Sequence, residues 1–270
     1  MLKDISIGQF FPGKSVIHRM DPRVKILLTI AYIVLLFVVR NLFSFLLTII
    51  FLFVIISIAK IPVKVVLKGV KPILPLILFT AILNMFFVTG NPLVHWWIFT
   101  ITDEGVRLAV LMSIRIICLI IGASLLTYTT SPIALTDAIE RLLKPLNYLH
   151  FPVHEMAMMM TIALRFIPTL IEETDKIMSA QKARGADLET GGLVKRAKAL
   201  IPILIPLFVS AFRRAEELAL AMECRCYRGG EGRTRMKQLK LGAVDLGSTL
   251  VFAAVFTGAV VMNFFLPPLF

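Results

Sequence analysis

The side chains able to do chemistry in this 270-residue chain are few, and their spacing disposes of most of them. His150 and His154 stand four apart with Glu155 beside the second, a spacing that can present two zinc ligands on one helical face. Phe151 and Pro152 interrupt the helix that would align them, however, and the HExxH order is absent. Cys224 and Cys226 offer two thiols with no third soft ligand near them, and Cys118 lies alone in an apolar run, so neither a metal centre nor a disulfide framework is expected. Gly229-Gly230-Glu231-Gly232-Arg233 shares only its glycines with a phosphate-binding loop and lacks the closing Lys and Ser or Thr. No catalytic group, metal or bound cofactor is therefore expected of this chain.

What remains is arginine. Ala183-Arg184-Gly185 and Cys224-Arg225-Cys226 recur 41 residues apart, each closing an amphipathic pattern, with Gly229 and Gly230 following the second. A cation in the last turn suits the helix dipole, and glycine stops a helix readily, so each motif alone reads as an ordinary C-cap. Their recurrence supports a second reading. Two guanidinium groups on helix tips can each make bidentate bonds to the carboxylates of a docking partner, which lysine cannot reproduce.

The elements that must carry these tips are set by composition. The chain is 58% hydrophobic with mean hydropathy +0.86, and only 17% of its residues are charged. A soluble domain carries about 25%, so this is an integral membrane protein of all-α class. Its net charge of +12 indicates basic loops against an anionic leaflet or an acidic partner, not a nucleic acid. Met1 to Lys25 has no apolar core and reads as a cytoplasmic segment rather than a signal peptide. Five spans are expected: Ile26 to Val39 and Leu42 to Ala59 as a hairpin turning at Arg40, then about Pro72 to Thr89, Val106 to Tyr128 and Ala243 to Leu266. Gly90, Asn91 and Pro92 should end the third, and Trp96 and Trp97 should sit at a lipid interface. Of the 29 lysines and arginines, 26 fall on one side of this arrangement, the exceptions being Arg40, Arg107 and Arg115. By the positive-inside rule the N-terminus is cytoplasmic and, with five spans, the C-terminus lies outside. Arg115 is deep enough to require a partner or an interior position.

The domain map is thus an N-terminal segment (1–25), spans one to four (26–130, with a linker from Lys60 to Lys71), a cytoplasmic region (131–240) and the last span (241–270). The cytoplasmic region predicts about three amphipathic helices. Ser131 and Pro132 open the first, with Leu135, Ile139, Leu142 and Leu143 on one face. The second runs from near His154 to Arg184, the third from Leu193 to Phe212 with Pro202 and Pro206 as kinks, continuing from Arg213 to Cys226. Met156, Met158, Met159 and Met160 form either ordinary packing or an adaptable partner surface. Arg213 and Arg214 with Glu216 and Glu217 read as solvated surface pairs.

With the paired arginine motifs, the stretches Phe11-Pro12-Gly13-Lys14-Ser15 and His18-Arg19-Met20-Asp21-Pro22-Arg23 resemble the transmembrane T component of energy-coupling factor (ECF) transporters, prokaryotic ATP-driven importers of vitamins and metals. The resemblance covers nearly the whole chain. It implies a multi-pass cell-membrane subunit that is not itself an enzyme. Such a subunit couples two ABC-type ATPases, which carry the ATP and Mg, to a separate substrate-binding membrane S component. It also implies that Ala183, Arg184 and Gly185 dock into one ATPase. In the second motif Arg225 matches, while Cys224 and Cys226 stand where the family has alanine and glycine. Asp21, Pro22 and Arg23 match a stretch whose role would be structural, capping the first span. A reading from another class is an intramembrane enzyme acting on a phosphorylated lipid or isoprenoid, held by Arg107, Arg115 and the basic helices. It lacks the clustered carboxylates of a metal-assisted phosphoryl site.

Overall fold

The computed structural model describes residues 10–88, 92–96, 99–149, 151–186, 192–229 and 239–265. Ser15, His18 and Phe11 shape the start. The Ser15 hydroxyl is hydrogen-bonded to His18 Nδ1 (2.7 Å), and His18 Nε2 to the Phe11 carbonyl (3.0 Å), which folds the chain over Gly13 into the short helix α1 (Val16–Arg19). A Cβ on Gly13 would come within 2.6 Å of that imidazole, so the turn admits no side chain there.

The apolar helices follow: α2 (Pro22–Val38), α3 (Leu42–Ala59), α4 (Val63–Val70), a 3-10 turn at Lys71–Ile73, α5 (Leu74–Phe87), α6 (Asp103–Thr129) and, late in the chain, α10 (Ala243–Phe265). Among the described residues four stretches are long and apolar enough to cross a bilayer, namely α3, the continuous run Val63–Phe87, α6 and α10. At 17 residues α2 rises about 26 Å, the lower limit for a span. The expected Lys60–Lys71 linker is therefore corrected. Lys60 caps α3 in the left-handed conformation, and α4 starts three residues later, so the third apolar run begins near Val63 rather than Pro72. Pro72 is tolerated because it falls in the 3-10 turn, where its missing N–H leaves no α-helical bond unmade. A two-stranded antiparallel hairpin, β1 (Pro92–Trp96) and β2 (Phe99–Thr102), adds a small extended element to the helices of the described residues. Gly90, Asn91, Trp97 and His150 lie outside the described residues.

The described residues form two compact units, one of residues 10–135 with 239–265, the other within residues 136–229. In the first, α2 does not fold flat against α3 as a simple hairpin would. Both pack on α10 and α6 instead. Tyr32, Leu35 and Leu36 of α2, Phe45 and Leu52 of α3, Cys118, Leu125 and Tyr128 of α6, and Phe252 of α10 make one buried cluster. Glycines set the closest approaches: a Cβ on Gly122 would lie 2.4 Å from the Tyr32 ring, and one on Gly69 2.6 Å from the Tyr128 hydroxyl. The outer face of α2 (Leu27, Ile30, Val34, Phe37) is exposed, as a lipid-facing surface requires.

The second unit begins within α7 (Pro132–Leu143), whose N-terminus is capped by Ser131, its Oγ accepting from the Ala134 N–H at 3.4 Å. A 3-10 segment (Lys144–Leu149) leads to α8 (Val153–Ala183) and then α9 (Leu193–Cys224). The third amphipathic helix continues past Phe212, as expected. Helix α9 runs unbroken through Pro202 and Pro206.

Candidate functional site

Helices α8 and α9 are held together by polar contacts that fix their register. Ser210 Oγ donates to Glu173 Oε1, Arg214 Nη2 bonds Glu173 Oε2 at 3.1 Å, and Gln181 Nε2 donates to the Pro202 carbonyl at 3.4 Å. As the α8 partner advances from 173 to 181, the α9 partner retreats from 210 to 202, so the helices run antiparallel. Arg214 stays partly exposed, as expected, but its partner is Glu173 on α8 rather than a carboxylate of its own helix, because Glu173 presents an acceptor oxygen at that level. The Ser210 hydrogen bond and the Arg214 charge hold the Glu173 carboxyl below the usual carboxylate range, against a smaller opposing effect of burial.

The antiparallel register sends the two C-termini in opposite directions. Arg184 lies 11 residues beyond Glu173 and Arg225 lies 15 beyond Ser210, so at 1.5 Å per residue the two tips stand at most about 40 Å apart.

Both tips have one local structure. Arg184 is the C-cap of α8 (φ −85°, ψ 6°) and Arg225 the C-cap of α9 (φ −91°, ψ 13°). The next residue is left-handed in each case, Gly185 at φ 85° and Cys226 at φ 56°. The Gly185 and Ala186 amides donate to the carbonyls of Lys182 and Gln181, both at 3.0 Å. The Cys226 and Tyr227 amides donate to those of Glu223 (2.8 Å) and Met222 (3.0 Å). These are two complete Schellman motifs. Cysteine therefore occupies a position that glycine fills without strain, and the backbone holds its shape regardless. Ala183, Arg184, Gly185, Cys224, Arg225 and Cys226 are all exposed, and both cysteines are free thiols.

Asp21, Pro22 and Arg23 open α2. Asp21 is its N-cap, accepting from the Arg23 amide at 2.9 Å, with Pro22 as the first helical residue. The Asp21 carboxylate also pairs with the Arg23 guanidinium at 2.7 Å. Asp245, in the first turn of α10, bridges two helix starts: its Oδ1 accepts from the Asp21 amide (2.7 Å) and its Oδ2 from the Gly242 amide (2.8 Å). Lys25 is buried beside them and donates to the Thr129 carbonyl (2.9 Å) and the Thr130 hydroxyl (3.2 Å) at the end of α6. Sequence reading counted Lys25 only as a cytoplasmic charge. Its place one turn after an N-cap Asp was the available signal for a structural clamp.

The remaining candidates disperse. His154 pairs with Glu140 of α7 at 3.1 Å, and among the described residues no cluster of three metal-ligating side chains occurs. Arg107 pairs with Asp103 at 3.1 Å, while Arg115 donates to the Val39 carbonyl at 2.9 Å and lies 6.0 Å from the centroid of the Phe45 ring. The two arginines that an enzymatic reading would place on a phosphate are thus engaged separately, the second at the C-terminus of α2. Met156, Met159 and Met160 are exposed, as are Leu204, Ile205, Phe208 and Phe212 on α9.

The profile of the CbiQ family, described as cobalt transport protein, matches residues 13–236. Among curated relatives, the energy-coupling factor transporter transmembrane protein EcfT of Ruminiclostridium cellulolyticum is 53% identical over 264 residues, covering 98% of this chain and 99% of its own. The protein of the same name from Clostridium kluyveri is 56% identical over 252 residues, 93% of each chain. That from Thermosediminibacter oceani is 51% identical over 263 residues, 97% of this chain and 99% of its own.

Proposed function

This chain belongs to the family of energy-coupling factor transporter transmembrane proteins, and from that premise we propose that it couples two cytoplasmic ABC-type ATPases to a substrate-binding membrane S component in vitamin or metal uptake. The observation that carries this reading is the pair of exposed arginines, set on identical helix caps at opposite ends of an antiparallel pair. Tips held up to about 40 Å apart have room for one partner each. A guanidinium at a C-cap is pre-positioned and free of the chain's own carboxylates among the described residues, so it can offer its fork to an acidic groove.

The chain supplies no chemistry in this scheme. ATP and Mg sit on the partners, and closure of the two ATPases changes the separation of the tips they grip. Glu173, Ser210 and Arg214 clasp the helices near their middle, so displacement at one tip reaches the opposite end of the same helix. The apolar, methionine-bearing faces of α8 and α9 are the surfaces that would pass it to membrane subunits. The charge distribution supports an N-terminus and basic segments in the cytoplasm and, with α2 counted as a fifth span, a C-terminus outside.

The test is co-purification and transport with Arg184→Ala, Arg225→Ala and the double variant. Each single change should cost about 2 kcal/mol of ATPase binding, the worth of a charge-assisted bond, or about thirtyfold in affinity. Both arginines are exposed, so thermal stability of the isolated chain should stay unchanged. Full uptake and intact complexes with both arginines replaced would overturn the proposal.

A further inference from the structure

Where α2 turns into α3, an open groove of about 530 Å³ is lined by Val34, Phe37, Val38, Arg40 and Asn263. The turn joins two apolar helices at the end of α2 opposite Asp21, so it lies where hydrocarbon meets head groups. Phe37 is 61% exposed and Val34 48%, which leaves an apolar floor open to the outside. Asn263 closes the backbone of the turn. Its Oδ1 accepts from the Arg40 amide (2.9 Å) and its Nδ2 donates to the Val38 carbonyl (3.3 Å), so its polar atoms are used and the Arg40 backbone is fixed.

Arg40 itself lines this groove and is exposed. Arg115 is spent on the Val39 carbonyl and Arg107 on Asp103. Among the described residues no carboxylate lies within ion-pair distance of Arg40. An exposed cation over an apolar floor, at head-group depth, is complementary to a molecule with an anionic head and a hydrocarbon tail. We infer that this groove holds an anionic phospholipid, its phosphate on the Arg40 guanidinium and the first segment of an acyl chain against Phe37 and Val34. The guanidinium fork matches two phosphate oxygens, and a head group without its own ammonium leaves that attraction uncompensated. The site uses no residue of the proposed docking tips, so it stands or falls independently of them.

The experiment is native mass spectrometry of the purified full chain released from detergent containing phosphatidylglycerol or phosphatidylcholine. The wild-type chain should retain phosphatidylglycerol about fivefold more than phosphatidylcholine, the worth of one arginine near an anionic surface. Arg40→Ala should abolish the difference and Arg107→Ala should preserve it. Soluble glycerophosphoglycerol should not displace the lipid, since the apolar floor contributes to holding it. Equal retention of the two lipids by the wild-type chain, a result needing no variant, would overturn the inference. So would a preference that survives Arg40→Ala, or displacement by the soluble head group. Absence of the lipid from the assembled transporter would assign the groove to a partner helix and would also overturn it.

Discussion

Adding a Cβ at Gly185 and removing the side chain at Cys226 should move the stabilities of the two helix caps in opposite directions. At Gly185 an added Cβ would meet nothing within 4 Å, so crowding plays no part and the cost of Gly185→Ala is that of the φ 85° backbone. A left-handed non-glycine residue costs about 1–2 kcal/mol, and alanine recovers about 0.4–1 kcal/mol by restricting the unfolded chain. The net loss is about 1 kcal/mol, or about fivefold in the equilibrium for opening the last turn of α8. Cys226→Gly reverses the change at φ 56° and should slow opening of the last turn of α9 by a similar factor. Hydrogen–deuterium exchange reads both directly, because the Gly185, Ala186, Cys226 and Tyr227 amides are the donors that close the two caps. Exchange at 185–186 should accelerate in Gly185→Ala, and exchange at 226–227 should slow in Cys226→Gly, with the untouched cap unchanged in each. Equal effects of one sign, or none, would refute the reasoning that the caps are strained differently. ATPase affinity adds a functional readout: if the cap presents the arginine, Gly185→Ala weakens binding while Cys226→Gly preserves it.

Two further outcomes follow from the packing. Gly122→Ala places a Cβ 2.4 Å from the buried Tyr32 ring and should cost about 1–3 kcal/mol in thermal denaturation in detergent, whereas Gly247→Ala, with nothing within 4 Å, should be neutral or stabilising. Glu173 has a folded pKa below its ordinary 4.5, so its contribution to the α8–α9 clasp is fully present above that pH and is lost as the pH falls below it. Cross-linking between α8 and α9 should weaken on acidification in the wild-type chain, while Glu173→Gln should be weak at neutral pH and flat below it.

Hydropathy and charge alone identify a membrane protein, because a continuous apolar run is stable only in lipid and 26 of 29 cations cannot be distributed at random about it. The arginine tips were legible for a local reason too. A C-cap depends on consecutive residues, and the Ala183-Arg184-Gly185 triplet encodes one without reference to the rest of the chain. That Cys226 would adopt the same left-handed geometry was not legible, since the residue type disfavours it and only the two closing hydrogen bonds impose it. The helix at Val63–Val70 was hidden in the expected linker because the regularly spaced Lys60, Lys64, Lys68 and Lys71 look like a loop by charge yet occupy a helix and its caps.

Long-range pairing belonged wholly to the tertiary structure. Arg214 has Glu217 three residues away in the chain and pairs with Glu173, 41 residues distant, since the antiparallel crossing of two helices decides which carboxylate is within reach. Lys25 meets the end of α6, Asp245 joins the starts of α2 and α10, and Arg115 closes the end of α2 for the same reason. Local periodicity records which face of a helix is apolar. Which partner covers that face, and which buried charge finds an acceptor there, is settled only when the helices pack.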